Sequence, residues 1–242
     1  MNYNKVILVT SGCSFSETIT EHQSTWPRHL ATAINPKQFI SKGMGSQGNG
    51  LISRSIIFQV SKLLKDGISP NDILVGIMWS GPNRWDYYWD NIERGGKWSS
   101  AHHDGWMNNP TNFDNNNTNG GWVVANQYWK SSKEFYKLYY DNTFGQINTL
   151  EHVLRTQWFL EKHNIKYFMA KYMNETFAKI NKQPCLHLKD QIDWSKFISR
   201  QGCYEWCLET NPDYIDHTMH PTPDAHAHYT REFILPYLEQ NF

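Results

Sequence analysis

Seven successive residues without a polar side chain, Ile73-Leu74-Val75-Gly76-Ile77-Met78-Trp79, follow Asn71-Asp72 and lead out through Ser80-Gly81-Pro82-Asn83-Arg84. A run this short, bounded by turn residues, reads as a strand covered on both faces. Residues 5–10, KVILVT, have the same character, as does the run from Lys166 to Tyr172, and residues 38–42 form a weaker strand. Between them the periodicity changes to that of helices. Trp26, Leu30 and Ile34 recur at helical spacing after Thr25, with Pro27 tolerated in the first turn. Leu51, Ile52, Ile56, Phe58, Val60, Leu63 and Leu64 predict a helix that Asp66-Gly67 ends. A long helical stretch is expected from about Ser132 to His163, broken near Asn142 to Gly145. Residues 174–214 read as irregular, with short helical pieces near Asp193 to Ile198, and Thr222 to Leu238 read as a closing helix. Strands alternating with helices imply right-handed βαβ units and a mostly parallel sheet sandwiched between helical layers.

The pattern breaks once. Over residues 85–130, Trp85, Trp89, Trp98, Trp106, Trp122 and Trp129 stand among Asn, Gly and Ser, around the run 115-NNNTNGG-121. This segment reads as an insertion within one domain spanning residues 1–242, and it holds over half of the chain's 11 Trp. Two readings stay open: a small core of the insertion's own, or an aromatic wall for stacking sugars.

Lys+Arg 23 against Asp+Glu 23 gives a net charge of +0, without the electrostatic footprint of a general nucleic-acid or anionic-membrane binder. There is no apolar run of about 18 residues and no basic leader followed by an apolar core. The expectation is a protein with no membrane span, cytoplasmic at synthesis. Cys13, Cys185, Cys203 and Cys207 are too few and too irregular for a disulfide framework, although Cys203 and Cys207 could share a helix face. His217, His220, His226 and His228 cluster without a carboxylate pair at metal spacing, and the glycine cluster 43-GMGSQGNG-50 lacks a Gly-Lys-Ser/Thr ending. No metal, nucleotide or other cofactor is expected.

Ligands of parallel sheets bind beyond the carboxyl ends of the strands, which selects Ser14, the 43–50 loop and Ser80 to Arg84. A serine hydroxyl becomes a useful nucleophile once a base accepts its proton, and acyl transfer also needs donors aimed at the oxyanion. His220 is a candidate base, held off helical geometry by Pro221, and Asp216 lies four residues earlier, where it could turn back to orient the ring. The glycine-rich loop ahead of a helix offers free amides. Ser14 could instead cap a helix. Cys13 is a rival nucleophile, although alternation points it away from Ser14.

Four blocks, taken in order, resemble the SGNH hydrolases, also called GDSL-type esterases. Gly12-Cys13-Ser14 is similar to the family's Gly-Asp-Ser block and implies that Ser14 is the nucleophile. Gly43-Met44-Gly45-Ser46-Gln47-Gly48-Asn49 resembles the second block, whose last glycine, here Gly48, supplies an oxyanion-hole amide. The strand from Ile73 resembles the one that ends in an oxyanion-hole asparagine, where this chain has Ser80, with Asn83 a little further on. His220-Pro221-Thr222-Pro223-Asp224-Ala225 resembles the last block, in which a base histidine precedes the closing helix. The family's aspartate falls at His217 here, and Asp216 is one position earlier.

The resemblance implies a flavodoxin-like three-layer α/β/α sandwich. It also implies a triad of Ser14, His220 and Asp216, and an oxyanion hole drawn from Ser14, Gly48, and Ser80 or Asn83. Asn49, Trp79, Arg84 and Trp85, on or beside the strand exits, are candidates for contacting substrate. The expected activity is hydrolysis of a small acyl ester, such as an O-acetyl group of a carbohydrate. The alternatives are a non-catalytic glycan-binding or structural protein on the same fold, and an O-acyltransferase.

Overall fold

The computed structural model describes residues 3–18, 24–89, 107–108, 121–126 and 133–242. In chain order the elements that build the sandwich are β1 (Ile7–Ser11), α1 (Trp26–Ile34), β2 (Gln38–Ser41), α2 (Asn49–Lys65) and β3 (Ile73–Trp79). Next come β4 (Arg84–Trp89), β5 (Met107–Asn108), β6 (Gly121–Asn126), α3 (Lys133–Tyr139) and α4 (Asn142–Lys162). The chain then passes through β7 (Lys166–Lys171), α5 (Leu186–Lys189), α6 (Cys203–Thr210), α7 (Pro223–Tyr229) and α8 (Leu235–Asn241), the last two joined by a π-helical turn over Thr230–Ile234.

The main sheet has the order β2-β1-β3-β7, with every pair parallel. Val9 lies between Ile40 and Val75 in register, and Ile77 faces Met169. Period-two alternation divides the apolar strand residues between two cores. Ile7, Val9, Ile73, Val75 and Ile77 pack against Ile52, Ile56 and Val60 of α2 and Leu150 and Val153 of α4. Leu8, Leu74, Met78 and Phe168 pack on the opposite face against Trp26 and Leu30 of α1, Tyr229 of α7 and Leu238 of α8. The result is the three-layer α/β/α arrangement that the sequence predicts. Each of these fully buried side chains contributes roughly 1.5–3 kcal/mol by leaving water.

The helix boundaries have local causes. Helix α1 ends at Asn35, which takes the left-handed conformation (φ 46) that commonly terminates helices. The break in the long helical stretch falls earlier than Asn142 to Gly145, because the Asp141 side chain accepts hydrogen bonds from the Thr143 and Phe144 amides and starts a new helix. Residues 174–214 are less irregular than expected. Cys203, Trp206 and Cys207, at helical spacing, form the buried face of α6, whereas Asp193 to Ile198 contains only the short turn Trp194–Lys196. All four cysteines are free and buried.

After β3, from Arg84, the chain adds a three-stranded antiparallel sheet of order β4-β6-β5. Trp85 stacks on Phe144 with ring centroids 5.5 Å apart, tying β4 to α4. Trp98, Trp106, Trp129 and the Asn run at 115–120, on which the sugar-wall reading depends, lie outside the described residues. Among the described residues no helix is long and apolar enough to cross a membrane.

Candidate active site

Strand β1 delivers its exit, Gly12-Cys13, into the short 3-10 turn Ser14–Ser16, and the chain closes on itself through the bond from Ser16 N–H to the Cys13 carbonyl (2.8 Å). Gly12 is required here, since a Cβ would sit on the Ser16 hydroxyl and against the Met78 carbonyl. Cys13 is turned into the core and Ser14 is half-buried at the wall of a cleft of about 530 Å³. The Ser14 N–H meets no protein acceptor among the described residues.

His220 arrives from the other end of the chain on a tight loop. Met219 N–H bonds to the Asp216 carbonyl (3.0 Å) and Asp216 N–H to the His220 carbonyl (2.9 Å), with Met219 at φ 66. This is the geometry of a turn followed by a bulge whose left-handed position usually carries glycine. A methionine there is strained, and such strain tends to collect at functional sites. The loop places His220 Nε2 2.8 Å from Ser14 Oγ. On its far side, Nδ1 is 2.8 Å from the Thr218 carbonyl and 3.0 Å from the Thr218 hydroxyl. A carbonyl can only accept, so the proton of the neutral ring resides on Nδ1, and Nε2 is left as an acceptor for the Ser14 hydroxyl. Phe15 packs on the ring at a centroid distance of 5.4 Å.

Asp216 reaches the ring indirectly. Its Oδ1 accepts from Thr218 N–H (2.8 Å), the Thr218 hydroxyl (2.6 Å) and His220 N–H (3.1 Å). Burial alone would raise the Asp216 carboxyl, but these bonds and the nearby His220 hold it below the usual range. Thr218 therefore stands between the carboxylate and the imidazole, a role the sequence reading missed. The available signal was the spacing Asp-x-Thr-x-His, in which an Asx turn bends the chain back.

The predicted oxyanion residues are placed differently. Gly48 N–H donates to Asp86 Oδ1 (3.0 Å) and Leu51 N–H to Asp86 Oδ2 (2.7 Å), so a carboxylate from β4 caps helix α2. The approach is so close that a Cβ on Gly48 would meet both Asp86 and the Arg84 backbone. Desolvation pushes the Asp86 carboxyl up to about 6, against the pull of the two amides, Arg54 and Arg84. Asn49 binds the backbone of Ser80 from both sides, accepting from its N–H (2.7 Å) and donating to its carbonyl (3.0 Å), and also donates to Thr149 (3.1 Å). The Ser80 side chain is fully buried and the Asn83 carbonyl receives the Tyr136 hydroxyl (2.6 Å).

Trp79 is fully enclosed in the core between the sheet and helices α2 and α4. Of the residues singled out by sequence, Ser14, His220, Asp216 and Arg84 line one cleft, whereas Gly48, Asn49, Trp79, Ser80, Asn83 and Trp85 do not. Ser24, Thr25, Ser46 and Thr218 add hydroxyls to the cleft's wall, beside Glu17, Pro221, Pro223 and the deeply buried His226.

No curated protein matches the chain in sequence. Among solved structures, a GDSL-like lipase from Bacteroides thetaiotaomicron VPI-5482 superposes with a TM-score of 0.47 at 12% identity, covering 98% of this chain and 90% of that one. The YxiM protein of Bacillus subtilis superposes with a TM-score of 0.49 at 10% identity, covering 98% of this chain and 57% of that one. One family model spans both halves of the cleft, from Ser14 through the His220 loop into the closing helices: it describes a family of unknown function, DUF6071, matches residues 14–234, and places this chain in that family.

Proposed function

We propose that the chain is a serine ester hydrolase of SGNH type that works through an acyl-enzyme. The observation that carries the reading is the Ser14 Oγ to His220 Nε2 contact of 2.8 Å, with the ring's other nitrogen fixed by Thr218. This is the pairing of nucleophile and oriented base that acyl transfer requires. Ser14 Oγ attacks the ester carbonyl and its proton passes to His220 Nε2. The tetrahedral intermediate collapses, the C–O bond to the alcohol breaks, and the leaving oxygen takes the proton from His220. Water then repeats the sequence: His220 removes its proton, the hydroxide oxygen bonds to the acyl carbon, and Ser14 leaves with the proton restored. The free Ser14 N–H is one donor for the oxyanion.

The hydroxyl-rich wall favours a polar ester with a short acyl group, such as O-acetyl on a carbohydrate, over a lipid. The test is hydrolysis of p-nitrophenyl acetate and p-nitrophenyl palmitate by the wild type, Ser14→Ala and His220→Ala. The expected result is turnover of the acetate in preference to the palmitate, with a loss of at least about 10³-fold in kcat in either variant. Equal rates in all three proteins would end the hydrolase reading.

A further inference from the structure

We infer that the Arg84 guanidinium is an oxyanion donor of the Ser14 centre, an inference that rests on the ester hydrolase reading above. Apart from the Ser14 amide, the residues expected in that role lie elsewhere. The Gly48 amide is bound by Asp86, the Ser80 hydroxyl is fully buried, and neither residue lines the cleft with Ser14 and His220. Asn83 is likewise outside that wall. Arg84 is in it. Its guanidinium lies 5.1 Å over the Tyr172 ring and against Cys13, the residue immediately before Ser14, and its Nη1 is enclosed with no hydrogen-bond partner among the described residues. An enclosed guanidinium nitrogen left without a partner is costly, and the cost is recovered where a ligand atom completes it.

The fold explains how the side chain comes to be there. Arg84 opens β4, its N–H bonds to the Gly81 carbonyl (3.3 Å), and the Tyr136 hydroxyl pins the intervening turn at Asn83. Two residues on, and so on the same side of the strand, Asp86 clamps the start of α2. Burial works against the charge on Arg84, but Cys13, Tyr172 and Glu175 more than offset it, so the guanidinium stays charged. When Ser14 Oγ bonds to the carbonyl carbon, the π pair moves onto the oxygen. The Arg84 N–H holds that charge and gives up no proton, since the Ser14 proton is on His220. Collapse returns the pair and releases the donor.

The experiment uses p-nitrophenyl acetate, which carries no charge for Arg84 to grip in the ground state. Arg84→Gln is expected to lower kcat by about 10²–10³-fold with KM changed less than about threefold, and Arg84→Lys to recover roughly tenfold of that loss. An unchanged kcat in a folded Arg84→Gln protein, checked by circular dichroism, overturns the inference. It would be the result if Arg84 served only to clamp a substrate carboxylate.

Should both variants fail to fold, the wild type inhibited by diethyl p-nitrophenyl phosphate gives the answer. A crystal structure of the Ser14 adduct with the phosphoryl oxygen within about 3.2 Å of an Arg84 nitrogen supports the inference. An oxygen turned to any other donor overturns it. Ser14→Ala separates the two failures. An inactive Ser14→Ala beside a fully active Arg84→Gln removes the inference alone. A fully active Ser14→Ala, or a wild type that neither hydrolyses the ester nor takes the inhibitor, removes both.

Discussion

At the residue scale, the placement of Thr218 sets how much Asp216 can matter. In a triad whose carboxylate bonds the imidazole directly, neutralising it costs about 10⁴-fold in kcat, because the ring then adopts the wrong tautomer. Here the Thr218 carbonyl fixes the Nδ1 proton whatever the charge at residue 216. Asp216→Asn is therefore expected to lower kcat for p-nitrophenyl acetate by only about tenfold, through a looser turn, since the amide oxygen takes the place of the one carboxylate oxygen that accepts all three bonds but accepts them more weakly. A loss near 10⁴-fold would mean that the carboxylate reaches the ring during turnover. Ser14, His220 and Asp216 could be singled out in the sequence because their blocks, in order, resemble those of the SGNH hydrolases and sit at strand or helix exits, and the folded chain brings them together. Thr218 was not, because it acts through a backbone carbonyl, which every residue possesses.

At the element scale, β4 fixes the geometry of the site. Arg84 lines the cleft and Asp86 binds the amides of Gly48 and Leu51, so one short strand both reaches the cleft and caps a helix. Strand β3 was readable to the residue from seven apolar positions between turn signals, and helices α1 and α2 from their spacing. The cap was not, because its partners lie 35 and 38 residues apart and only the folded chain brings them together. The cap has a pH signature.

The Asp86 carboxyl is raised to about 6 in the folded chain from 3.8, so the native state binds this proton more tightly than the unfolded state. The stability it contributes is full below about pH 3.8 and is lost as pH rises through 6. Asp86→Asn lacks that titration. Urea unfolding at pH 4, 5, 6 and 7 is expected to show the wild type losing on the order of 2 kcal/mol relative to Asp86→Asn as pH rises. The amide left without an acceptor in the variant adds a constant offset that does not affect the slope. A difference independent of pH would show that the carboxylate is solvated.

At the scale of the whole molecule, the layered architecture was the most legible feature. Alternation within the strands and spacing within the helices both serve the same two cores, to which β4, β5 and β6 contribute no described residue. The same burial that makes the fold readable also governs its response to acid. His226, on α7, is 2% exposed, and desolvation, assisted by His29 and His220, lowers its pKa to about 3. The unfolded chain binds a proton there near pH 6.5, so the native state loses stability as pH falls through 6.5 toward 3, the reverse of the Asp86 effect. His152, lowered to about 3 by desolvation with help from Arg155 and Arg54, acts in the same direction.

Two desolvated neutral imidazoles, His226 buried and His152 half-buried, oppose the half-buried Asp86 carboxyl, so acidification from pH 6.5 is expected to destabilise the native state. His226→Gln isolates one contribution. From pH 7 to 5 the wild type should lose roughly 2 kcal/mol relative to this variant in urea unfolding. The loss should appear as a shift of midpoint at constant slope, since the same surface is exposed on unfolding. Parallel curves for the two proteins across that range would place His226 in water, and the second core would then have to open on the α7 side.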